Sequence, residues 1–451
     1  MSTKNSYIFV LNKANYLIKN KYGFFSLKYL VTLCSLFTIF NQIDAQNSLK
    51  DYVSPALKTV QLHRNDWPLS YPIIRLGSDQ TLVLSFDEPG SQIKDYYYTI
   101  VHCDAQWNPS PLMPTDYIQG VPVNPITDYS YSFNTTMDYV HYQLSFPNLS
   151  IRPLISGNYV LEVFEGPTGG KTVLRKRFYV NEPLVKIESY VRNRQSSATE
   201  PDYQEINFEI IHKGLSINNP VEEVTVTVMQ NGRTDNVISG LRPRFFGGDR
   251  MDFNFIRETE MEAGNEFRYL DIRSFRFYTD RIEEIVFEDP FYHVSVVPER
   301  PRFPSSYQYR QDLNGRYYIE ADTRENPDTE GDYAFVHFRL FCDIPFISKR
   351  IYINGALTNW LLDSSSEMEY DPVINAYRTT LMLKQGYYNY QYVMVERGET
   401  QGEVFQLENS YYETENDYLI LVYYRKQGER THRLIGAEVI NSARSLQGSG
   451  K

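Results

Sequence analysis

The sequence predicts an all-β protein built from three consecutive β-sandwich domains that follow a signal peptide. Aromatic residues make up 15% of the chain and 38 of them are Tyr, a composition that suits pleated, half-buried strands. Short alternating apolar segments are separated by turn clusters rich in Gly, Pro, Asn and Asp. Long Ala/Leu/Glu/Lys-rich blocks that would predict helices are missing. A length of 451 residues allows roughly three domains of about 150 residues.

Residues 1–45 have the pattern of an export signal. Tyr29–Phe40 is an apolar segment, and Ala45 before Gln46 fits a cleavage site. A retained anchor is the alternative, but a membrane span needs about 20 apolar residues, more than this segment offers. Lipidation at Cys34 is not favoured, because Cys34 lies inside the apolar segment and follows the bulky Leu33. The positive charges before and at the start of the apolar segment are Lys4, Lys13, Lys19, Lys21 and Lys28.

The charge and the cysteines exclude several classes of function. The formal net charge is −11 at pH 7, and removal of the lysine-rich signal makes the rest more acidic. Such a chain repels phosphate backbones and anionic membrane surfaces, so nucleic acid is not an expected partner. Cys103 and Cys342 are the two cysteines after the signal. Two buried thiols are favoured over a disulfide, which an oxidising compartment would still permit.

The first sandwich is predicted over residues 46–181. Residues 109–125 contain five prolines and are expected to form a loop rather than an inner strand. Turn signals at 87–90, 156–158 and 166–170 separate the alternating segments. These segments predict strands at 82–86, 96–101, 129–133, 139–146, 159–164 and 173–180.

The remainder is divided at two proline-containing linkers. A second sandwich is expected over 182–299, with Asn231-Gly232 as a hairpin signal. A third sandwich is expected over 300–434, with residues 419–424 as its closing strand, and 435–451 as a flexible tail. The strands predicted in the second sandwich are 206–211, 224–229, 253–255 and 267–272; those in the third begin at 333, 351, 377, 387 and 419.

His102-Cys103-Asp104 is the strongest candidate for catalysis or metal binding. Strand alternation places Tyr96, Tyr98, Ile100 and His102 on one face and Cys103 on the other. His102 and Cys103 therefore do not converge on one ion or form one nucleophile–base pair. His141 is a distant alternative partner. A structural role is favoured, with no metal, no cofactor and no catalytic residue expected.

Two other motifs are better explained as turns. Gly166–Gly170 is glycine-rich but lacks the Lys and the helix of a phosphate-binding loop. Asp87-Glu88 is interpreted as a solvated turn or strand end rather than as paired catalytic carboxylates.

The third domain contains Asn354-Gly355, Asn359-Trp360, Met368-Glu369-Tyr370, the strand 377–383 and the tyrosine-rich 386–392 segment. In this pattern it resembles immunoglobulin-like, early-set β-sandwich domains that bind α-glucans. The resemblance implies that Trp360 with Tyr388 or Tyr390 could stack on sugar rings. A periplasmic or secreted glycan-binding protein is therefore the alternative function. A shared sandwich core without sugar binding explains the same pattern, because fold does not fix function.

A second resemblance is carried by the segments 59–62, 82–87, 96–107, 128–134, 141–142, 146–148 and 156–159. On these segments the sequence, from about residue 50 to about 425, resembles the type IX secretion system plug protein family. This resemblance implies an exported β-sandwich protein without known catalytic residues. It further implies a non-enzymatic plug that closes the periplasmic opening of the giant outer-membrane translocon barrel, with that barrel as partner. The expected location is the periplasm, at the inner side of the outer membrane, with no membrane span of its own.

Overall fold

The computed structural model describes residues 48–443 except positions 168, 198 and 323. The predicted signal peptide at 1–45 and the end of the predicted tail lie outside these residues. Within the described residues, the chain from Lys50 forms one compact unit. The short α-helices that lie wholly within them are Pro114–Tyr117, Pro220–Glu223, Pro327–Glu330 and Phe405–Glu408, and the 3₁₀ turns are Arg257–Thr259 and Ala356–Thr358. No helix in the described part is long and apolar enough to span a bilayer.

The first twelve strands form the first sandwich. One sheet has the order β1-β12-β11-β5-β7 with β3 beside β12, a second has the order β2-β4-β9-β8, and β6 pairs with β10. Alternating apolar residues from the two larger sheets share one core. The strands are β1 Tyr52–Val53, β2 Lys58–Arg64, β3 Ile73–Arg75, β4 Leu82–Pro89, β5 Tyr96–Cys103, β6 Ile118–Gly120, β7 Asn124–Pro125, β8 Asp128–Tyr131, β9 Tyr139–Phe146, β10 Ile151–Pro153, β11 Gly157–Glu165 and β12 Lys171–Asn181.

Strand β5 confirms the predicted alternation. Tyr96, Tyr98, Ile100 and His102 are all buried, whereas Tyr97, Thr99 and Val101 are half-buried. Phe86 stacks on Tyr142 with ring centroids 5.1 Å apart, and Tyr96 meets both rings edge-on. Large aromatic rings therefore fill the space between the two sheets.

The second sandwich begins with seven strands. One sheet has the order β13-β14-β18-β17 with β19 beside β14, and β15 pairs with β16 in another. The predicted hairpin is confirmed, because Asn231 and Gly232 both have positive φ and directly follow β15. The strands are β13 Lys186–Arg194, β14 Tyr203–Ile211, β15 Val224–Gln230, β16 Ile238–Leu241, β17 Phe245–Gly247, β18 Arg250–Asp252 and β19 Glu260–Glu262.

The third region is a nine-stranded sheet with the order β20-β28-β25-β26-β27-β24-β22-β21 and β23 beside β28. Its pairs are antiparallel except β22 with β24. The strands are β20 Arg268–Asp271, β21 Ile282–Glu288, β22 Phe291–Val296, β23 Tyr317–Ile319, β24 Tyr333–Phe341, β25 Lys349–Asn354, β26 Glu367–Asp371, β27 Ala376–Lys384 and β28 Gly386–Glu396.

The last two strands, β29 Asp417–Tyr424 and β30 Arg433–Asn441, return to the second sandwich. The sheet order there is β16-β15-β29-β30, and Tyr418, Ile420, Val422 and Ile435 lie in its core.

Strand pairing corrects the predicted boundaries at 299 and 434. Strands β20, β21 and β22 precede the first boundary but belong to the third sheet, and β29 precedes the second but completes the second sandwich. The predicted tail begins inside β30, with Ile435 buried. Neighbouring strands in sequence usually pair, and the apolar pattern of β29 does not specify its distant partner.

Candidate functional site

His102, Cys103 and Asp104 have separate structural roles. The His102 ring is buried edge-on against Tyr159, with centroids 4.9 Å apart, and its Nε2 lies 3.4 Å from the Ser156 carbonyl oxygen. Burial lowers the pKa of His102 to about 4 and raises the pKa of the Cys103 thiol to about 12. At neutral pH both side chains are uncharged, so neither is an activated nucleophile or a general acid.

Asp104 shapes the turn after β5. Its Oδ1 accepts backbone N–H bonds from Gln106 and Asn108, both at 2.9 Å. Within residues 48–443, no three His, Cys, Asp or Glu side chains are arranged to hold a metal ion. Cys103 and Cys342 are free thiols, the first buried and the second half-buried. The motif therefore has a structural role in the turn after β5.

This turn joins the first sandwich to the second. Asn158 lies beside the turn and donates from Nδ2 to the Asp104 carbonyl oxygen at 3.0 Å. The Tyr423 hydroxyl, on β29, donates to Asn158 Oδ1 at 2.7 Å. Gly157 precedes Asn158 at φ +150°, and a Cβ there would stand 2.4 Å from His102 Nε2. The segment 156–159 and the His-Cys-Asp motif thus fit together as one interdomain joint.

Apolar packing surrounds the joint. Trp107 adopts φ +67°, its ring meets Tyr179 edge-on at 5.4 Å, and the Arg177 guanidinium lies 4.4 Å from the ring centroid. Ala105 and Tyr179 from the first sandwich share a buried cluster with residues of the second: Met229, Leu419, Leu421, Tyr423 and Leu434. Desolvated aromatic contacts of this kind hold two surfaces together.

A buried charged pair joins the first sandwich to the third. Asp87 Oδ2 lies 2.8 Å from Lys384 Nζ, and each side chain is 1% exposed. Asp87 also accepts hydrogen bonds from the Tyr333 hydroxyl at 2.5 Å and, through Oδ1, from His141 Nδ1 at 2.7 Å. Lys384 Nζ lies 4.2 Å from the Tyr139 ring centroid. His141 is therefore bound to Asp87 and is not a partner of His102.

The electrostatics of this pair favour a charged carboxylate. Burial by itself opposes the charge, but Lys384 and His141 together hold the pKa of Asp87 below its ordinary value. Asp87-Glu88 was predicted to be a solvated turn or strand end. The two residues do lie at the end of β4, but they are not solvated, because Asp87 is fully buried and Glu88 is 5% exposed. The one sequence signal for a buried acid was the position of Asp87 inside the alternating segment 82–89. Nothing in the sequence around Lys384, about 300 positions away, indicated that it is the partner of Asp87.

The glycan candidates do not form a platform. Tyr388 and Tyr390 are 2% and 0% exposed. Tyr388 stacks on Tyr317 with centroids 5.0 Å apart, and Tyr390 donates its hydroxyl to buried Glu299 at 2.9 Å. The structure corrects the prediction for both tyrosines, because neither ring can present a face to a sugar. Trp360 is half-buried, and its ring lies edge-on to Phe267.

Trp360 lines a cavity of about 160 Å³ where the three sandwiches meet. Tyr71 and Lys176 of the first sandwich, Gly232 of the second and Arg316 of the third face the same cavity. Its lining is both aromatic and cationic, and of these residues only Trp360 was predicted from the sequence to bind a ligand.

Comparisons with known proteins now identify the family. A family model described as the type 9 secretion system plug protein first domain matches residues 57–182, the region that contains the joint around His102 and the carboxylate of Asp87. The chain belongs to the type 9 secretion system plug protein family. This family is a non-enzymatic component of type IX secretion, which implies contact with the secretion machinery and a location in the cell envelope.

A solved structure extends the likeness beyond the first sandwich. A hypothetical protein from Parabacteroides merdae is 34% identical, with a TM-score of 0.84, and the match covers 88% of this chain and 100% of that one. The arrangement of all three sandwiches is therefore shared by this plug-family chain and that protein. A search of curated proteins finds no match.

Proposed function

We propose that this chain is a non-enzymatic plug that closes the periplasmic opening of the outer-membrane translocon barrel of the type IX secretion system. The observation that carries the proposal is the locking of the sandwiches into one unit by the Asp87–Lys384 pair and by the joint at Asn158. A plug must resist separation of its parts when it is held against an opening, and buried charge pairs are costly to break.

The size of this unit supports the same role. A compact unit of about 400 residues has a radius of gyration of roughly 21 Å and a diameter of roughly 55 Å. Very wide outer-membrane barrels enclose a polar, water-filled lumen that would leak small solutes if left open. Such a unit can obstruct an opening by its bulk alone, and no reaction is required.

The surface suits a reversible contact with a polar rim. Exposed tyrosines include Tyr129 and Tyr131 on the edge strand β8 and Tyr309 near the third sheet. Tyr combines a large contact area with a polar hydroxyl, which favours interfaces that form and separate. The net charge of −11 disfavours adsorption to anionic lipid. We place the protein in the periplasm, at the inner side of the outer membrane.

The experiment is affinity purification of the tagged chain from gently solubilised outer membranes. The proposed function predicts that one very large β-barrel protein co-purifies in near-stoichiometric amounts from cells with an idle secretion system. A tagged periplasmic protein of similar size and charge is the matched control. Recovery of the chain without any barrel, across several mild detergents, would refute the proposal.

A further inference from the structure

The cavity where the three sandwiches meet has the features of a small-molecule site. At about 160 Å³ it has room for several waters or one small organic molecule. Segments from all three sandwiches approach closely here, because a Cβ on Gly232 would lie 3.7 Å from both Trp360 Nε1 and Tyr71 Cε1. Aromatic and apolar side chains form much of the wall, with a few polar groups among them, as in most ligand pockets.

One buried hydroxyl in this wall has no acceptor. Tyr71 Oη and Arg316 Nη2 are buried and lie against each other. A guanidinium can only donate, so the Tyr71 oxygen accepts from Arg316 and the Tyr71 O–H has no acceptor within the described part of the chain. Arg316 is held in place by Asp417, whose Oδ2 accepts from Nη1 at 3.2 Å, and its guanidinium carbon lies 4.4 Å from the Tyr71 ring centroid. Buried donors usually have partners, so the Tyr71 O–H points to an absent acceptor.

The cavity is cationic within an acidic protein. Lys176, Arg177 and Arg316 line it, and Asp51 is the single carboxylate in the described lining. Asp51 is engaged in part, since its Oδ1 accepts the backbone N–H of Arg177 at 3.0 Å. Lys176 Nζ donates to Asn359 Oδ1 at 2.8 Å and retains further donor capacity. This local excess of positive charge favours an anionic acceptor.

We propose that this cavity binds a small organic carboxylate with a flat apolar body. The carboxylate accepts hydrogen bonds from the Arg316 guanidinium and the Tyr71 hydroxyl, and charge-assisted bonds of this kind are among the strongest in proteins. The apolar body packs beside Trp360. Because the walls come from all three sandwiches, the bound carboxylate stabilises their junction. This inference is independent of the plug function.

The test is isothermal titration calorimetry on the purified chain without its signal, with benzoate as the probe and benzamide as its neutral isostere. We expect saturable binding of one benzoate and at least ten-fold weaker binding of benzamide, because the amide lacks the charge. Tyr71→Phe keeps the ring and removes the hydroxyl that donates to the carboxylate, so benzoate affinity falls about five-fold. Tyr131→Phe, at an exposed tyrosine, is the matched control and leaves the affinity unchanged.

Three results would overturn the proposal. The first is no saturable benzoate binding up to about 10 mM, which is weaker than about −3 kcal/mol. The second is equal binding of benzoate and benzamide, which indicates an apolar void without anion recognition. The third is unchanged benzoate affinity in Tyr71→Phe, which indicates that the Tyr71 hydroxyl does not donate to the carboxylate.

Discussion

The Asp87–Lys384 pair gives a quantitative test of the lock between the first and third sandwiches. Asp87→Asn keeps the side-chain volume and an oxygen acceptor but removes the charge opposite Lys384 Nζ, 2.8 Å away and 1% exposed. Removing one partner of a buried pair leaves an uncompensated charge and costs about 3–5 kcal/mol. Total stabilities are roughly 5–15 kcal/mol, so this loss would be a large part of the free energy of unfolding.

The assay is urea unfolding at pH 7, followed by circular dichroism. Because the pair ties two sandwiches together, we expect Asp87→Asn to split one cooperative transition into two. Asp87→Asn combined with Lys384→Met should lose less than the two single changes together, with a coupling of about 0.5–3 kcal/mol. Lys186→Met, which removes the exposed pair with Glu188, should leave the curve unchanged. A cost below about 1 kcal/mol for Asp87→Asn, or strict additivity, would refute the reasoning.

Three further predictions concern the joint around His102. The folded pKa of His102 is about 4, below the ordinary 6.5, so its stabilising contribution is complete above about pH 6.5 and is lost as pH falls through 4. The contribution amounts to about 3 kcal/mol. The free energy of unfolding should therefore depend less on pH in His102→Gln than in the wild type, and parallel pH profiles of the two proteins would contradict this. Gly157→Ala places a Cβ 2.4 Å from His102 Nε2 and should lower the free energy of unfolding by about 2–4 kcal/mol. Gly166→Ala, where the Cβ meets open space, is the control and should lower it by about 1 kcal/mol. Chemical denaturation measures both, and equal losses would contradict the close-packing argument. Tyr423→Phe leaves Asn158 Oδ1 without its donor and should lower the free energy of unfolding by about 1–3 kcal/mol; a neutral result would contradict a joint at this point.

Local pattern was sufficient for most strands and for the two faces of β5. The strand 139–146 was predicted with the bounds that the structure gives β9, and the alternation in β5 placed His102 in the core. The same alternation separated His102 from Cys103 and favoured a structural role for the motif. Period-two alternation is a local property of the backbone, so it can be read without knowing which strands pair.

Long-range pairing was not predictable from the same pattern. Strand β29 is as apolar as any core strand, and its residues do not indicate that it pairs with β15, about 190 positions earlier. Asp87 and Lys384 likewise sit at strand ends where single charges are ordinary, and their pairing depends on how two sandwiches pack. The burial of Tyr388 and Tyr390 was likewise not predictable, because a tyrosine-rich strand suits either a core or a binding face.

The central claim is that this chain closes the translocon opening, and outer-membrane permeability tests it most directly. Uptake of a hydrophilic fluorescent probe too large for general porins should be measured in cells without the gene, with secretion idle. The proposed plug function predicts that uptake rises in those cells and returns to the wild-type level when a plasmid restores the intact chain. Unchanged uptake without the gene, in cells where the translocon barrel is present, would contradict the claim.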